Sequence, residues 1–130
     1  MRLGKGGLFS YKSTGTATTK AEASAILPTL PAQVYIQIAS ESQRVKANEI
    51  TTQLQQKGFV MPGIENMAGK GADMPKNTNV RYFNDEDKQT AEAIVAILKE
   101  AGITTAYAYP VSKYKVKAGG LEVWFSADVH

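Results

Sequence analysis

The chain carries the same pattern twice, 44 positions apart, and this internal repeat limits the folds open to it more than any other feature. Each copy holds an alternating apolar segment, a polar residue suited to begin a helix, apolar residues at helical spacing and a helix-ending glycine. The matched pairs are Ile36 and Val80, Ile38 and Tyr82, Ser40 and Asn84, Ala47 and Ala91, Ile50 and Ile94, Leu54 and Leu98, and Gly58 and Gly102. Because the match follows structural role, we interpret it as a duplicated strand–helix unit.

Each copy predicts a strand, a helix and a second strand. The first copy predicts strands over 34–38 and 59–61 around a helix that ends at Gly58, followed by a loop over 65–78. The second predicts strands over 80–83 and 103–109 around a helix that ends at Gly102. Residues 113–117 and 121–125 alternate on either side of a glycine pair, which predicts a terminal hairpin.

Two such units in succession predict an α+β, ferredoxin-like βαββαβ fold. That fold has a four-stranded antiparallel sheet with both helices on one face, here extended or capped by the C-terminal β-hairpin. We expect residues 1–31 to form a flexible basic arm, residues 32–127 to form the domain, and residues 128–130 to form a tail.

The position of the charges argues against a nucleic-acid partner. The chain is 43% apolar and 21% charged, which is ordinary for a soluble globular protein. Residues 1–20 hold four basic residues and no acid, so the rest of the chain, with eleven bases and twelve acids, has a net charge of −1. Nucleic-acid binding proteins usually carry positive charge on the folded surface.

No feature predicts an enzyme, a cofactor site or a metal site. The chain has no cysteine, and its one histidine is the last residue, His130. The glycine-rich segment 63–71 lacks the spacing of a phosphate-binding loop, and the acidic residues 85–87 are explained by the start of a helix. No apolar run approaches the roughly 20 residues of a membrane span, and no export signal is visible at the start.

Strand alternation defines a candidate binding surface on the side of the sheet opposite the helices. The predicted site residues are Tyr35, Gln37, Arg81, Phe83 and Trp124, with Glu122 beside them. Aromatic rings next to amide and guanidinium groups suit a sugar ring or a nucleobase. The alternative is that the hairpin or a partner subunit covers this face.

The sequence also resembles a known class of domain. Residues 34–39 (Val-Tyr-Ile-Gln-Ile-Ala), followed by a helix ending in residues 56–59 (Gln-Lys-Gly-Phe), resemble SPOR domains and the C-terminal domain of LytR-type cell-envelope proteins. Residues 79–83 (Asn-Val-Arg-Tyr-Phe), with Asp85, Asp87 and Ala91, are similar to the second unit of the latter. The resemblance covers about residues 33–125. It implies a bacterial or phage protein with a ferredoxin-like fold and no catalysis.

SPOR domains bind peptidoglycan glycan stripped of its peptides, whereas the LytR C-terminal domain has no settled role. The resemblance therefore implies a binding module for a cell-envelope glycan or a protein partner, located in the envelope if an exported parent protein carries it. Loop 65–78, the turn at 62–66 and the hairpin distinguish this chain from a typical SPOR domain. The alternatives are a structural domain that forms a homo-oligomer through its sheet face or edge and, less favoured, a single-stranded nucleic-acid binder.

Overall fold

The structure, a computed structural model, describes residues 31–130, so the predicted basic arm lies almost wholly outside the described residues. The strands are β1 (Gln33–Ile38), β2 (Ile64–Asn66), β3 (Asn79–Tyr82), β4 (Tyr107–Pro110) and β5 (Gly120–Trp124). The α-helices are α1 (Arg44–Gln56) and α2 (Lys88–Glu100), each preceded by a 3₁₀ turn, Glu41–Gln43 and Asp85–Asp87 respectively. No helix in this part of the chain is long and apolar enough to span a membrane.

The two units of the repeat have the same architecture. Both contain a strand, a 3₁₀ turn, a helix of 13 residues and a second strand, and both the turns and the helices begin 44 positions apart. Gly58 and Gly102 follow the helix ends with φ of 96° and 100°, a conformation that residues with a side chain rarely adopt. The same backbone reversal therefore ends both helices.

The five strands form one mixed sheet in the order β2-β1-β5-β3-β4. Strand β1 is parallel to β2 and to β5, while β3 is parallel to β4 and antiparallel to β5. The predicted α+β class is confirmed: a five-stranded sheet with two helices is consistent with a ferredoxin-like α+β fold.

The strand directions differ from the antiparallel sheet that the sequence predicts. Each unit places its two strands side by side and parallel, and β5 separates the units. The C-terminal hairpin does not form, because residues 113–117 are not a strand and β5 pairs with β1 and β3 instead. A central position buries Leu121 and Val123 completely, whereas an edge hairpin would leave them less covered.

The segment before β5 is held by the start of the second helical unit. Asn84 Nδ2 donates to the carbonyl oxygen of Val116 (2.9 Å), and the backbone N–H of Gly119 donates to Asp87 Oδ2 (2.9 Å). The 3₁₀ turn that precedes α2 therefore fixes the path of the chain into the sheet.

The second strand of each unit also begins later than predicted. Val60 forms only an isolated bridge with Gln33, and β2 starts at Ile64, after Pro62 and Gly63. Proline has no N–H for a strand ladder, so the pairing is interrupted there and resumes beyond it. In the second unit β4 starts at Tyr107 rather than at residue 103.

One apolar core lies between the sheet and the two helices, and both helices pack on the same face, as the repeat predicts. The strands supply Val34, Ile36, Ile38, Val80, Tyr82, Leu121 and Val123, and the helices supply Ala47, Ile50, Leu54, Ala91, Ile94 and Leu98. Phe125 and Val129 close the core from the C-terminal segment.

The C-terminal segment is hydrogen-bonded to the start of α1. Gln43 is buried, its Oε1 accepts from the N–H of Ala39 (2.8 Å), and its Nε2 donates to the carbonyl oxygens of Ser126 (2.8 Å) and Val129 (3.1 Å). Val129, which falls in the predicted tail 128–130, is thus a buried residue of the domain.

Candidate binding face of the sheet

The side of the sheet away from the helices, here called the open face, carries a concentrated set of aromatic and polar side chains. Strand register aligns them across neighbouring strands, because buried and outward residues alternate. The set is Tyr35, Gln37, Glu65, Asn79, Arg81, Tyr107, Tyr109, Glu122 and Trp124.

Four of the five predicted site residues lie on the open face. Tyr35 and Gln37 stand on β1, Arg81 on β3 and Trp124 on β5. Phe83 follows the end of β3 at Tyr82 and lies in the bend that leads to the 3₁₀ turn. Its predicted place on this face depended on a strand one residue longer than the real one.

Arg81 occupies the centre of the open face and stacks on its aromatic rings. Its Cζ atom lies 4.1 Å from the ring centroid of Trp124 and 5.6 Å from that of Tyr109, both within the range of cation–π attraction. Arg81 Nε donates to Asn79 Oδ1 (3.1 Å), and Trp124 Nε1 donates to Glu122 Oε1 (2.8 Å). We call these five residues the arginine–tryptophan cluster.

The sequence interpretation missed two tyrosines of the open face: Tyr109, which belongs to this cluster, and Tyr107, which extends it. Tyr107 and Tyr109 meet edge to face, with ring centroids 6.2 Å apart, and the Tyr107 hydroxyl lies 3.4 Å from Asn79 Nδ2. The alternation Tyr107-Ala108-Tyr109 could have identified them, since residues two positions apart lie on the same side of a strand.

A small cavity opens between β1 and β2, on the side of Trp124 that is away from Arg81. Its volume is about 160 Å³, and it is lined by Tyr35, Ile36, Gln37, Pro62, Gly63, Ile64 and Glu65. Glu65 also forms an ion pair with Lys70 (2.8 Å). Gln37 is buried, and its Oε1 has no hydrogen-bond partner within residues 31–130.

A separate ion-pair cluster lies at the start of the 3₁₀ turn before α1. Arg44 Nε and Nη2 donate to the two carboxylate oxygens of Glu41 (2.8 Å each), and Asn66 Nδ2 donates to Glu41 Oε2 (2.8 Å). The hydrogen bonds from Arg44 and Asn66 lower the pKa of Glu41 from its ordinary 4.5 to about 2. Across the described range, no three His, Cys, Asp or Glu side chains are placed to hold a metal ion.

Comparison with known proteins adds one structural similarity. No family model matches the sequence, and no curated protein is significantly similar to it. Among solved structures, the chain is similar to the solution structure of the C-terminal domain of RV0431, with a TM-score of 0.49 and 16% identity over 97% of this chain and 98% of that chain. The structural relationship is weak, and the architecture described above depends on the strand pairing alone.

Proposed function

We propose that this domain is a non-catalytic binding module that holds a cell-envelope glycan, peptidoglycan stripped of its peptides, on the open face. The observation that supports this most directly is the arginine–tryptophan cluster at the centre of the sheet. A regular sheet fixes these side chains from three different strands, so the surface is organised before a ligand arrives.

The cluster offers both kinds of contact that a saccharide needs. Rings such as those of Trp124 and Tyr109 provide flat apolar area for the C–H faces of sugars, and they retain polar edges. Carboxylate and amide groups beside the rings, from Glu122 and Asn79, supply acceptors and donors for sugar hydroxyls.

Arg81 favours a glycan that carries carboxylate groups. A guanidinium has five N–H donors, and the hydrogen bond to Asn79 uses one of them. Muramic acid units without peptides bear a free carboxylate, and arginine pairs with carboxylates through two parallel hydrogen bonds. The resemblance of residues 34–39 and 56–59 to SPOR and LytR C-terminal domains supports the same class of ligand.

Co-sedimentation with insoluble, peptide-free peptidoglycan tests this proposal. Wild-type protein is expected to sediment with the glycan, and Arg81→Ala or Trp124→Ala is expected to lower the retained fraction about tenfold, as when a central anchor is truncated. Trp124→Phe, which keeps an aromatic ring, should retain part of the binding.

Tyr114→Ala is the matched control, since Tyr114 is the most exposed aromatic residue between positions 31 and 130 (64%) and lies outside the strands. Thermal unfolding of each variant separates loss of binding from loss of fold. Absence of sedimentation by the wild type, or equal sedimentation of all variants, would reject the proposal.

Self-association is the second function that an observation favours. Tyr35, Tyr107 and Tyr109 are each 42–43% exposed, and clustered exposed aromatic residues often mark interfaces. The open face is a better candidate for the interface than the free edge of β4. At that edge Pro110 has no N–H to donate to a strand of another copy. A light-scattering mass that stays monomeric across a wide concentration range would exclude this function.

The charge of the described domain argues against nucleic-acid binding. Residues 31–130 contain eleven basic and eleven acidic side chains, so the described domain has no net positive charge to attract phosphates.

A further inference from the structure

The cavity beside β1 exists because the two units differ at one equivalent position. The 44-residue offset places Gly63 of the first unit opposite Tyr107 of the second, and Gln37 opposite Arg81. In the second unit the Tyr107 ring stands on the open face next to Tyr109. In the first unit, a glycine leaves the corresponding space empty, and a Cβ built on Gly63 would meet no atom within 4 Å.

The cavity has the size of a substituent rather than of a whole ligand. Its volume of about 160 Å³ is below the roughly 300 Å³ at which pockets for complete small molecules begin. It is comparable to the engineered cavity of about 150 Å³ that holds a benzene molecule. A single side group of a larger ligand therefore fits it.

The walls of the cavity combine apolar surface with an amide. Pro62 and the Tyr35 ring are apolar, and the Gln37 side chain supplies the amide. The Ile64 side chain packs on the core, on the other face of the sheet. Burying an acceptor such as Gln37 Oε1 without a partner is costly, so a ligand that donates to it has a binding advantage. The terminal torsion of glutamine is broad, which allows the amide to turn toward such a group.

We infer that this cavity receives the acetamido group of an N-acetylhexosamine unit of the bound glycan. The acetamido methyl group matches the apolar surface of Pro62 and Tyr35, and its N–H and carbonyl match the amide of Gln37. The inference rests on the proposed function and specifies which part of the sugar the first unit recognises.

The distance from the cavity to Arg81 agrees with this arrangement. Gln37 pairs with Trp124 on β5, which in turn pairs with Asn79 on β3. Neighbouring strands lie about 4.8 Å apart, so the backbones of Gln37 and Asn79 are about 10 Å apart across the sheet. Arg81 Nε donates to Asn79 Oδ1, which places the guanidinium next to Asn79. Two linked sugar units span such a distance, with the acetamido group of one at Gln37 and the carboxylate of the next at Arg81.

The test compares peptide-free peptidoglycan before and after chemical N-deacetylation, with re-acetylated material as the control for side reactions. Deacetylation is expected to weaken wild-type binding about tenfold, and re-acetylation should restore it. Gly63→Tyr, which copies the side chain of the second unit, should bind intact glycan as weakly as the wild type binds deacetylated glycan. Deacetylation should then cause no further loss, because both changes remove the same contact.

Gly63→Ala is the matched variant, since a methyl group occupies less of the cavity than a tyrosine ring, and it should weaken binding less than Gly63→Tyr does. Equal affinity of the wild type for intact and deacetylated glycan, or unchanged binding by Gly63→Tyr, would overturn the inference. If Arg81→Ala abolishes binding while Gly63→Tyr does not affect it, the cavity assignment fails and the proposed function remains.

A titration with monosaccharides gives an answer that does not depend on the polymer. In NMR spectra of ¹⁵N-labelled protein, N-acetylglucosamine should shift the backbone amide of Gly63 and the side-chain amide of Gln37, whereas glucose should not. In Gly63→Tyr, N-acetylglucosamine should no longer shift the side-chain amide of Gln37, and in Gln37→Leu it should no longer shift the backbone amide of Gly63. Identical responses to the two sugars would contradict the assignment of the cavity.

Discussion

Replacing the glycine that ends each helix by alanine tests whether the left-handed backbone conformation at these two positions requires glycine for full stability of the domain. Gly58 and Gly102 have φ of 96° and 100°, and an added Cβ at either position meets no atom within 4 Å. The cost is therefore conformational rather than steric. Placing a residue with a side chain in the left-handed region costs about 1–2 kcal/mol.

The smaller entropy of the unfolded chain offsets part of this cost, by about 0.4–1 kcal/mol. Gly58→Ala and Gly102→Ala should therefore each lower the free energy of unfolding by about 1 kcal/mol. For the 100 residues from 31 to 130, that loss lowers Tm by about 4–8 °C.

Gly63→Ala is the control, because Gly63 has no positive φ and its Cβ also meets open space. This variant should be as stable as the wild type or slightly more stable. The assay is urea denaturation followed by circular dichroism, with Tm as a second measure. Unchanged stability of Gly58→Ala, or an equal loss in Gly63→Ala, would refute the conformational explanation.

Three further predictions concern the core, the ion-pair cluster and the C-terminal segment. Leu54→Ala, at a fully buried site, should lower the free energy of unfolding by about 2–5 kcal/mol in denaturant titration, whereas Val45→Ala, at a site 81% exposed, should leave it unchanged. The Glu41 carboxylate should titrate by NMR with a pKa of about 2, and Arg44→Ala should return the pKa toward 4.5. Because folding lowers this pKa, its contribution to stability should be present above pH 4.5 and disappear as the pH falls toward 2. Gln43→Leu should destabilise the domain by about 1–3 kcal/mol and speed amide exchange at Val129, whereas unchanged exchange would contradict the role assigned to Gln43.

The sequence predicted the interior of the fold well, because helical spacing and strand alternation report directly on which side chains are buried. Ile50 and Ile94, matched by the repeat, are both fully buried, and the two helices begin at the same offset. Local signals of this kind need no knowledge of distant partners. The class of the fold followed from them.

The order of the strands could not be obtained in the same way. The pattern of β5 identifies a strand with Leu121 and Val123 on one side, but nothing in that pattern says which strands it pairs with. Residues 113–117 also alternate, so a hairpin satisfied every local rule. The central position of β5 depends on its pairing with both β1 and β3, which are distant in the sequence.

The sequence predicted only part of the candidate site, because alternation along a strand shows neither where the strand ends nor which strands are its neighbours. Tyr35, Gln37, Arg81 and Trp124 were found because alternation holds within their strands, whereas Phe83 falls outside β3 because alternation does not determine where a strand ends. The β2 side of the cavity follows the interruption at Pro62 and depends on the pairing of β2 with β1. The sequence therefore identified Tyr35 and Gln37 on the β1 side but not the cavity itself.

The two units provide an internal comparison that separates packing from recognition. Their inward residues are alike because both helices must cover the same kind of sheet, as Leu54 and Leu98 show. Their outward residues differ in charge and size: Gln37 corresponds to Arg81, and Gly63 corresponds to Tyr107. Packing does not require these outward differences, since both units fold with the same elements. A ligand that lies across the sheet would meet a neutral amide beside a cavity in one half and a cation on aromatic rings in the other, so the open face suits a polymer whose neighbouring units are chemically distinct.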